Sequence, residues 1–145
     1  MPTSSNPHSK QSPVLAALFA RFAEADACWF SSVRQDGRAH LAPIWHVVYE
    51  DAVYVVTQRT SVRSANIRSS PAVSLALADT SSPLIIEGLA HPAEEMRTSL
   101  RPLFLAKYAW DITADAEYDD VIRVIPHKVM AWGDHGEGRW KLEAA

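Results

Sequence analysis

Two short turns constrain this chain more than any other feature. Gln35-Asp36-Gly37-Arg38 and Glu50-Asp51 each fall between stretches in which apolar and polar residues alternate. Connections this short join strands in the antiparallel sense, because a parallel return needs a crossover of roughly a dozen residues. Residues 27–34, 39–49 and 52–58 are therefore predicted as three consecutive antiparallel strands forming a meander. In the second of these, Leu41, Pro43, Trp45, Val47 and Tyr49 share one face. The same period returns in 72–78, in 84–93 and in 120–132, and the short segment 140–142 can close the sheet. Six strands joined mostly by short turns predict one antiparallel barrel.

Helices are expected outside it. Ser12-Pro13 reads as an N-cap followed by proline at the first helical position, and Leu15, Leu18, Phe19 and Phe22 repeat at helical spacing over 13–25. Residues 61–70 suit a short helix ending before Pro71, and 94–108 is helical in pattern, with a kink or restart at Pro102. Residues 1–11 read as a Ser/Pro-rich tail, leaving 12–145 as a single domain. With 48% hydrophobic and 21% charged residues, the chain falls outside the disordered and coiled-coil classes. The formal charge of −3 argues against nucleic acid as a partner. The lone Cys28 excludes an internal disulfide and a cysteine zinc site, and Cys28 itself is expected to be a buried thiol. No signal-peptide pattern or run of about 18 apolar residues occurs, so a soluble, cytoplasmic protein without a membrane partner is expected.

Candidate chemistry concentrates between residues 52 and 78. This stretch holds Arg59, Arg63 and Arg68 and no acid, and it runs from a strand end at Val56-Thr57 into a helix beginning at Ser61. A helix N-terminus, a serine hydroxyl and an arginine one turn in can together hold an anion such as phosphate. The same residues also suit a capped surface helix with solvated arginines. Of the five tryptophans, Trp45, Trp132 and Trp140 lie in strand contexts, where they can pack a planar ring system or serve as core. No nucleophile elbow or metal-binding motif occurs, and no metal site is expected. His40 and His46, placed on one strand face, leave a metal or haem ligand open beside ordinary packing. The acids of 111–120 read as a solvated loop, and the glycine-rich 133–138 as a turn.

The order of motifs resembles the pyridoxamine-phosphate-oxidase-like flavoproteins. The resemblance runs through residues 29–38, Ala42-Pro43-Ile44-Trp45, the helix 61–71, Val73-Ser74-Leu75, Ile86-Glu87-Gly88-Leu89-Ala90, Ala106-Lys107-Tyr108 and 128–133, and so covers roughly 13–142. It implies a mainly β, α+β fold: a six-stranded antiparallel split β-barrel, Greek-key-like, with flanking helices. It further implies a homodimer that binds FMN, or the deazaflavin F420, in a cleft between the subunits. Pro43, Ile44 and Trp45 would then offer backbone contacts to the flavin ring, with Val56 and Thr57 near the ribityl chain and phosphate. Ser61 and Arg63 would hold the phosphate, and Trp132 would reach the flavin of the other subunit. A donor to the flavin is expected from the backbone of 43–45 or from Ser32.

Departures from that pattern narrow the expected activity. Val62 stands where the family often carries a phosphate-binding arginine, so Arg59 or Arg68 would have to compensate. Ala42 and Pro83 replace an arginine and a glutamine of the pyridoxamine-phosphate oxidases, and their substrate motif after Trp132 is missing. The expectation is an FMN-dependent oxidoreductase acting on a small organic molecule other than pyridoxamine phosphate. The alternatives are an F420-dependent reductase or a non-enzymatic flavin- or haem-binding protein.

Overall fold

A computed structural model describes residues 12–142; the tail expected at 1–11 lies outside the described residues. Residues 12–142 form one eight-stranded antiparallel sheet with three α-helices on it. Helix α1 (Pro13–Glu24) leads into β1 (Cys28–Val33), β2 (Ala39–Ile44), β3 (Val47–Tyr49) and β4 (Ala52–Thr57). Helix α2 (Val62–Ser69), β5 (Ala72–Ala76) and β6 (Leu84–Pro92) follow, then α3 (Arg97–Tyr108), β7 (Asp120–Ala131) and β8 (Gly138–Lys141).

The strand order is β2-β1-β5-β6-β7-β4-β3, with β8 added beside β7. Its two ends, β2 and β3, are consecutive in the chain and separated only by Trp45 and His46. Three Cα steps reach at most about 11 Å, so the sheet has to curl until its edges nearly meet. This is a barrel split at Trp45-His46. The strand expected over 39–49 is therefore two strands, pairing with β1 before the break and with β4 after it. With β8 added, this raises the expected six strands to eight. The long β7 binds β6 along nearly its whole length and β4 and β8 near its two ends, which is what its length is for.

The turns carry the backbone cost. Gly37 (φ 93°) closes a three-residue loop between the paired Arg34 and Arg38. Glu50 (φ 51°) and Asp51 (φ 63°) both adopt the left-handed conformation required by the two-residue turn between β3 and β4. Gly88 marks a bulge against β7, where a Cβ would sit 2.2 Å from the Ile125 carbonyl oxygen.

Two apolar clusters share β4 by its alternation. Val53 and Val55 face the barrel interior with Phe30, Leu75, Ile86 and Ile122, and α1 seals it with Leu15, Leu18, Phe19 and Phe22. Tyr54 and Val56 face the other way, against Leu100 and Phe104 of α3 and Ile112. A strand buried on both faces has to be apolar along most of its length, as Ala52–Val56 is before the polar Thr57. The N-cap expected at Ser12 forms, its Oγ accepting from Leu15 N–H at 3.1 Å. Helix α3 begins after a 3-10 turn at Glu94–Met96, so the helical segment restarts at Arg97 and not at the expected Pro102, which sits inside the helix.

Candidate functional site

Where the barrel splits, the end of β2, the end of β4, the first turn of α2 and the segment after α3 enclose a cavity of about 610 Å³. This lies within the usual range for small-molecule and cofactor sites. Six of the residues singled out in the sequence line it together: Pro43, Ile44, Trp45, Val56, Thr57 and Arg63. Strand β2 is the sheet's edge, so one side of its backbone is free of ladder bonds as it passes the cavity.

Arg63 is the unusual member. Its side chain is buried beneath β2, with the guanidinium 5.0 Å from the Phe30 ring centre. Nη2 donates to the carbonyls of Ala42 (3.0 Å) and Pro43 (3.4 Å). Nε is buried without a partner, and among the described residues no carboxylate pairs with this cation. Burial holds its pKa below the usual arginine range, yet a guanidinium stays charged at any neutral pH. A buried, unpaired positive charge on a cavity wall is costly unless an anion joins it.

The other arginines of this stretch are used differently. Arg68 forms two bonds to the Asp120 carboxylate, at 2.7 and 2.8 Å, and a third at 2.6 Å to Ser64 Oγ, which donates to the same carboxylate. It is therefore committed to the fold and not available to replace an arginine at Val62. Arg59 is exposed, and its backbone N–H donates to Asp119. Ser61 caps α2, its Oγ accepting from Ser64 N–H at 3.1 Å and from Thr57 Oγ1 at 3.2 Å, and it does not line the cavity. Trp132 is half-exposed after β7 and also lies outside the cavity.

The acids of 111–120, expected as a solvated loop, are largely engaged. Asp120 is buried with Arg68, Asp111 caps a 3-10 turn and pairs with Arg101, and Asp115 accepts the Trp110 indole N–H at 3.0 Å. An acid run tells nothing about which members a neighbouring strand will bury.

The far wall of the cavity was not foreseen. Tyr108, Trp110, Asp115 and Tyr118 complete it. Ala109 between them adopts a left-handed backbone (φ 54°), which ends α3 and lets Tyr108 and Trp110, two residues apart in sequence, border one space. Tyr108 stacks on Trp45 with ring centres 4.4 Å apart. Its hydroxyl accepts from His46 N–H (3.0 Å) and donates to the Asp26 carbonyl (2.7 Å). Lys107 Nζ donates to the carbonyls of Ala23 (2.7 Å) and His46 (2.8 Å). Two adjacent residues of α3 thus pin the backbone at the barrel's split. The density of Tyr, Trp and Asp over 108–118 was the available sequence signal; the left-handed alanine was not readable.

Other candidates fall away from the cavity. His46 is fully buried, its Nε2 bonded to the Phe22 carbonyl at 2.7 Å, and burial pushes its imidazole down to about 4, so it is neutral. Neither it nor His40 lines the cavity, and the break after β2 removes the common strand face expected for them. Ser32 is buried and accepts from Asn66 Nδ2, so it is not positioned as a cavity donor. Cys28 is buried as expected, and burial pushes its thiol up to about 12 despite the opposing charges of Arg63 and Lys107.

The sequence model for pyridoxamine 5'-phosphate oxidase matches residues 15–133. The chain belongs to this family. Among solved structures, the pyridoxamine 5'-phosphate oxidase-like fold recurs in General Stress Protein 26 from Bacillus anthracis (TM-score 0.68, 20% identity, covering 88% of this chain and 98% of that one). An F420 reductase shares it as well (TM-score 0.63, 20% identity, 75% and 93% covered). So does a heme binding protein from Mycobacterium smegmatis (TM-score 0.69, 16% identity), with 87% of this chain and 57% of that protein covered. No curated protein matches the sequence. The same fold thus occurs in one protein described as an F420 reductase and in another described as a heme binding protein. Among the described residues, no helix is long and apolar enough to cross a membrane.

Proposed function

We propose that this chain is an FMN-dependent oxidoreductase acting on a small organic substrate other than pyridoxamine phosphate. The observation that carries the reading is Arg63, a buried cation with no carboxylate partner among the described residues, on the wall of an aromatic-lined cavity. A phosphate placed there supplies the missing anion, and Thr57 and Gln58 add polar groups on the same side. The free backbone edge of β2 suits the heteroatom rim of a flat ring, and Trp45 and Ile44 suit its apolar surface. When bound, the flavin supplies hydride transfer; the chain's task is to hold and orient it and to exclude water.

A homodimer belongs to the proposal. Trp29 (41% exposed) and Leu41 (61%) lie on one outward face of β1 and β2, and Trp132 stands clear of its own cavity. A second copy covering this face would bury the apolar surface and bring Trp132 of the partner subunit toward the cleft. Similarity to an F420 reductase supports F420 as the second reading, although an acidic cofactor tail is less suited to a chain of charge −3.

The test is the absorption spectrum of the purified protein, before and after adding FMN, F420 or haem. Two flavin bands that shift on binding, at one FMN per chain, are expected. A single deazaflavin band would transfer the proposal to F420, and a Soret band to haem carriage. Binding of none of them overturns the reading. A monomer that holds FMN tightly overturns the shared cleft.

A further inference from the structure

The cavity carries charge of both signs at separate places. Among the described residues, Arg63 has no carboxylate partner and Asp115 on the far wall has no cation partner, accepting only from the Trp110 indole and the Glu117 backbone N–H. Around Asp115 the wall is aromatic. Trp110 meets Tyr118 edge-on at 5.2 Å and Trp45 edge-on at 6.0 Å. Tyr118 and Trp45 remain 39% and 48% exposed at this wall, so their π surface is not used up by the fold. The αL backbone of Ala109, unfavourable for a residue with a Cβ, is what sets Trp110 beside Tyr108 here.

We propose that the Asp115 end of the cavity is the substrate subsite and that it takes a planar aromatic cation, such as an aryl amidinium. Aromatic faces attract cations through their quadrupole, and an unpaired carboxylate adds a charge-assisted bond. An anionic aromatic compound would face Asp115 at a loss, and an aliphatic cation would forgo the stacking. The inference rests on the flavin reading in one respect: it takes the Arg63 end as filled by the cofactor's phosphate.

Calorimetric titration of the full chain, with and without FMN, tests the proposal using benzamidine, benzoate and cyclohexylamine as probes. Benzamidine is expected to bind about tenfold or more tightly than either control. Asp115→Asn keeps an acceptor for the Trp110 indole but removes the charge, and should weaken benzamidine about tenfold while leaving FMN affinity unchanged. Tyr118→Leu keeps the charge and should weaken benzamidine more than cyclohexylamine, which loses a cation–π contact but no ring stacking. Melting temperatures of both variants separate a lost subsite from a lost fold, and if one variant does not fold the other decides. Equal binding of the three probes, no measurable benzamidine binding, or an unaltered affinity in the folded variants overturns the proposal. Asp115-dependent benzamidine binding in a protein that takes up no FMN would sustain the subsite and remove the flavin reading. FMN uptake without benzamidine selectivity would do the reverse.

Discussion

Arg63 and Arg68 sit five residues apart on α2, about 140° around the helix from each other, and the two sides of this helix treat the same side chain in opposite ways. On the β7 side, Arg68 meets a carboxylate and a hydroxyl that satisfy it, and its 31% exposure lets water share the charge. On the β2 side, Arg63 is buried and bonded to two carbonyls, with no anion beside it among the described residues. The first arrangement completes itself within the chain. The second is complete only with something added. Burial of a cation is thus uninformative by itself, and the presence or absence of its counter-charge separates a structural arginine from a binding one.

The largest expected effect lies on the β7 side. Arg68→Met would leave Asp120, 3% exposed, with Ser64 as its remaining partner, and should cost about 3 kcal/mol at pH 7. The pH dependence sharpens this. Burial pushes the Asp120 carboxyl up, but the bonds from Arg68 and Ser64 outweigh it and hold the group below the usual carboxylate range. The pair therefore contributes stability above the ordinary Asp pKa of about 3.9, and loses it as pH falls through the lower folded value. Without Arg68, burial prevails and the folded pKa rises, so the residual penalty grows with pH. Urea unfolding should show a larger deficit at pH 7 than at pH 4. An equal deficit at both would mean that packing, and not the ion pair, holds α2 to β7.

The β2 side should respond in the opposite currency. Arg63→Ala should weaken FMN binding by about 1.5–3 kcal/mol, roughly 10- to 150-fold, while costing less stability than Arg68→Met. Visible-absorption titration and urea unfolding of the same preparation measure both. A variant that binds FMN normally but unfolds as easily as Arg68→Met would erase the distinction between the two sides.

How far this contrast was legible in the sequence depends on the range of the interactions. The strands, their antiparallel sense, the N-caps at Ser12 and Ser61 and the gathering of Pro43, Trp45, Thr57 and Arg63 follow from local alternation, turn chemistry and motif order. The break at Trp45-His46 was hidden, because an unbroken alternation cannot show that its two halves pair with opposite edges of a curled sheet. Asp120 was misjudged because its partner lies 52 residues away, across a ladder formed only in the folded state. The far wall was missed because it depends on Ala109, whose left-handed backbone has no compositional mark.

Ser61 gives the smallest and most discriminating effect. Its hydroxyl caps α2 and accepts from Thr57, so Ser61→Ala should cost about 1 kcal/mol of stability. Since Ser61 does not line the cavity, FMN affinity should fall less than in Arg63→Ala. Ser61→Asp then separates cap from ligand. Aspartate caps as well as serine and should restore stability, but it places a carboxylate two residues from Arg63, offering that cation a partner and repelling an incoming phosphate. A stable Ser61→Asp protein with much weakened FMN binding is the expected result. If it binds FMN as the unaltered chain does, the phosphate does not approach this end of α2, and Arg63 would need another explanation for its missing counter-charge.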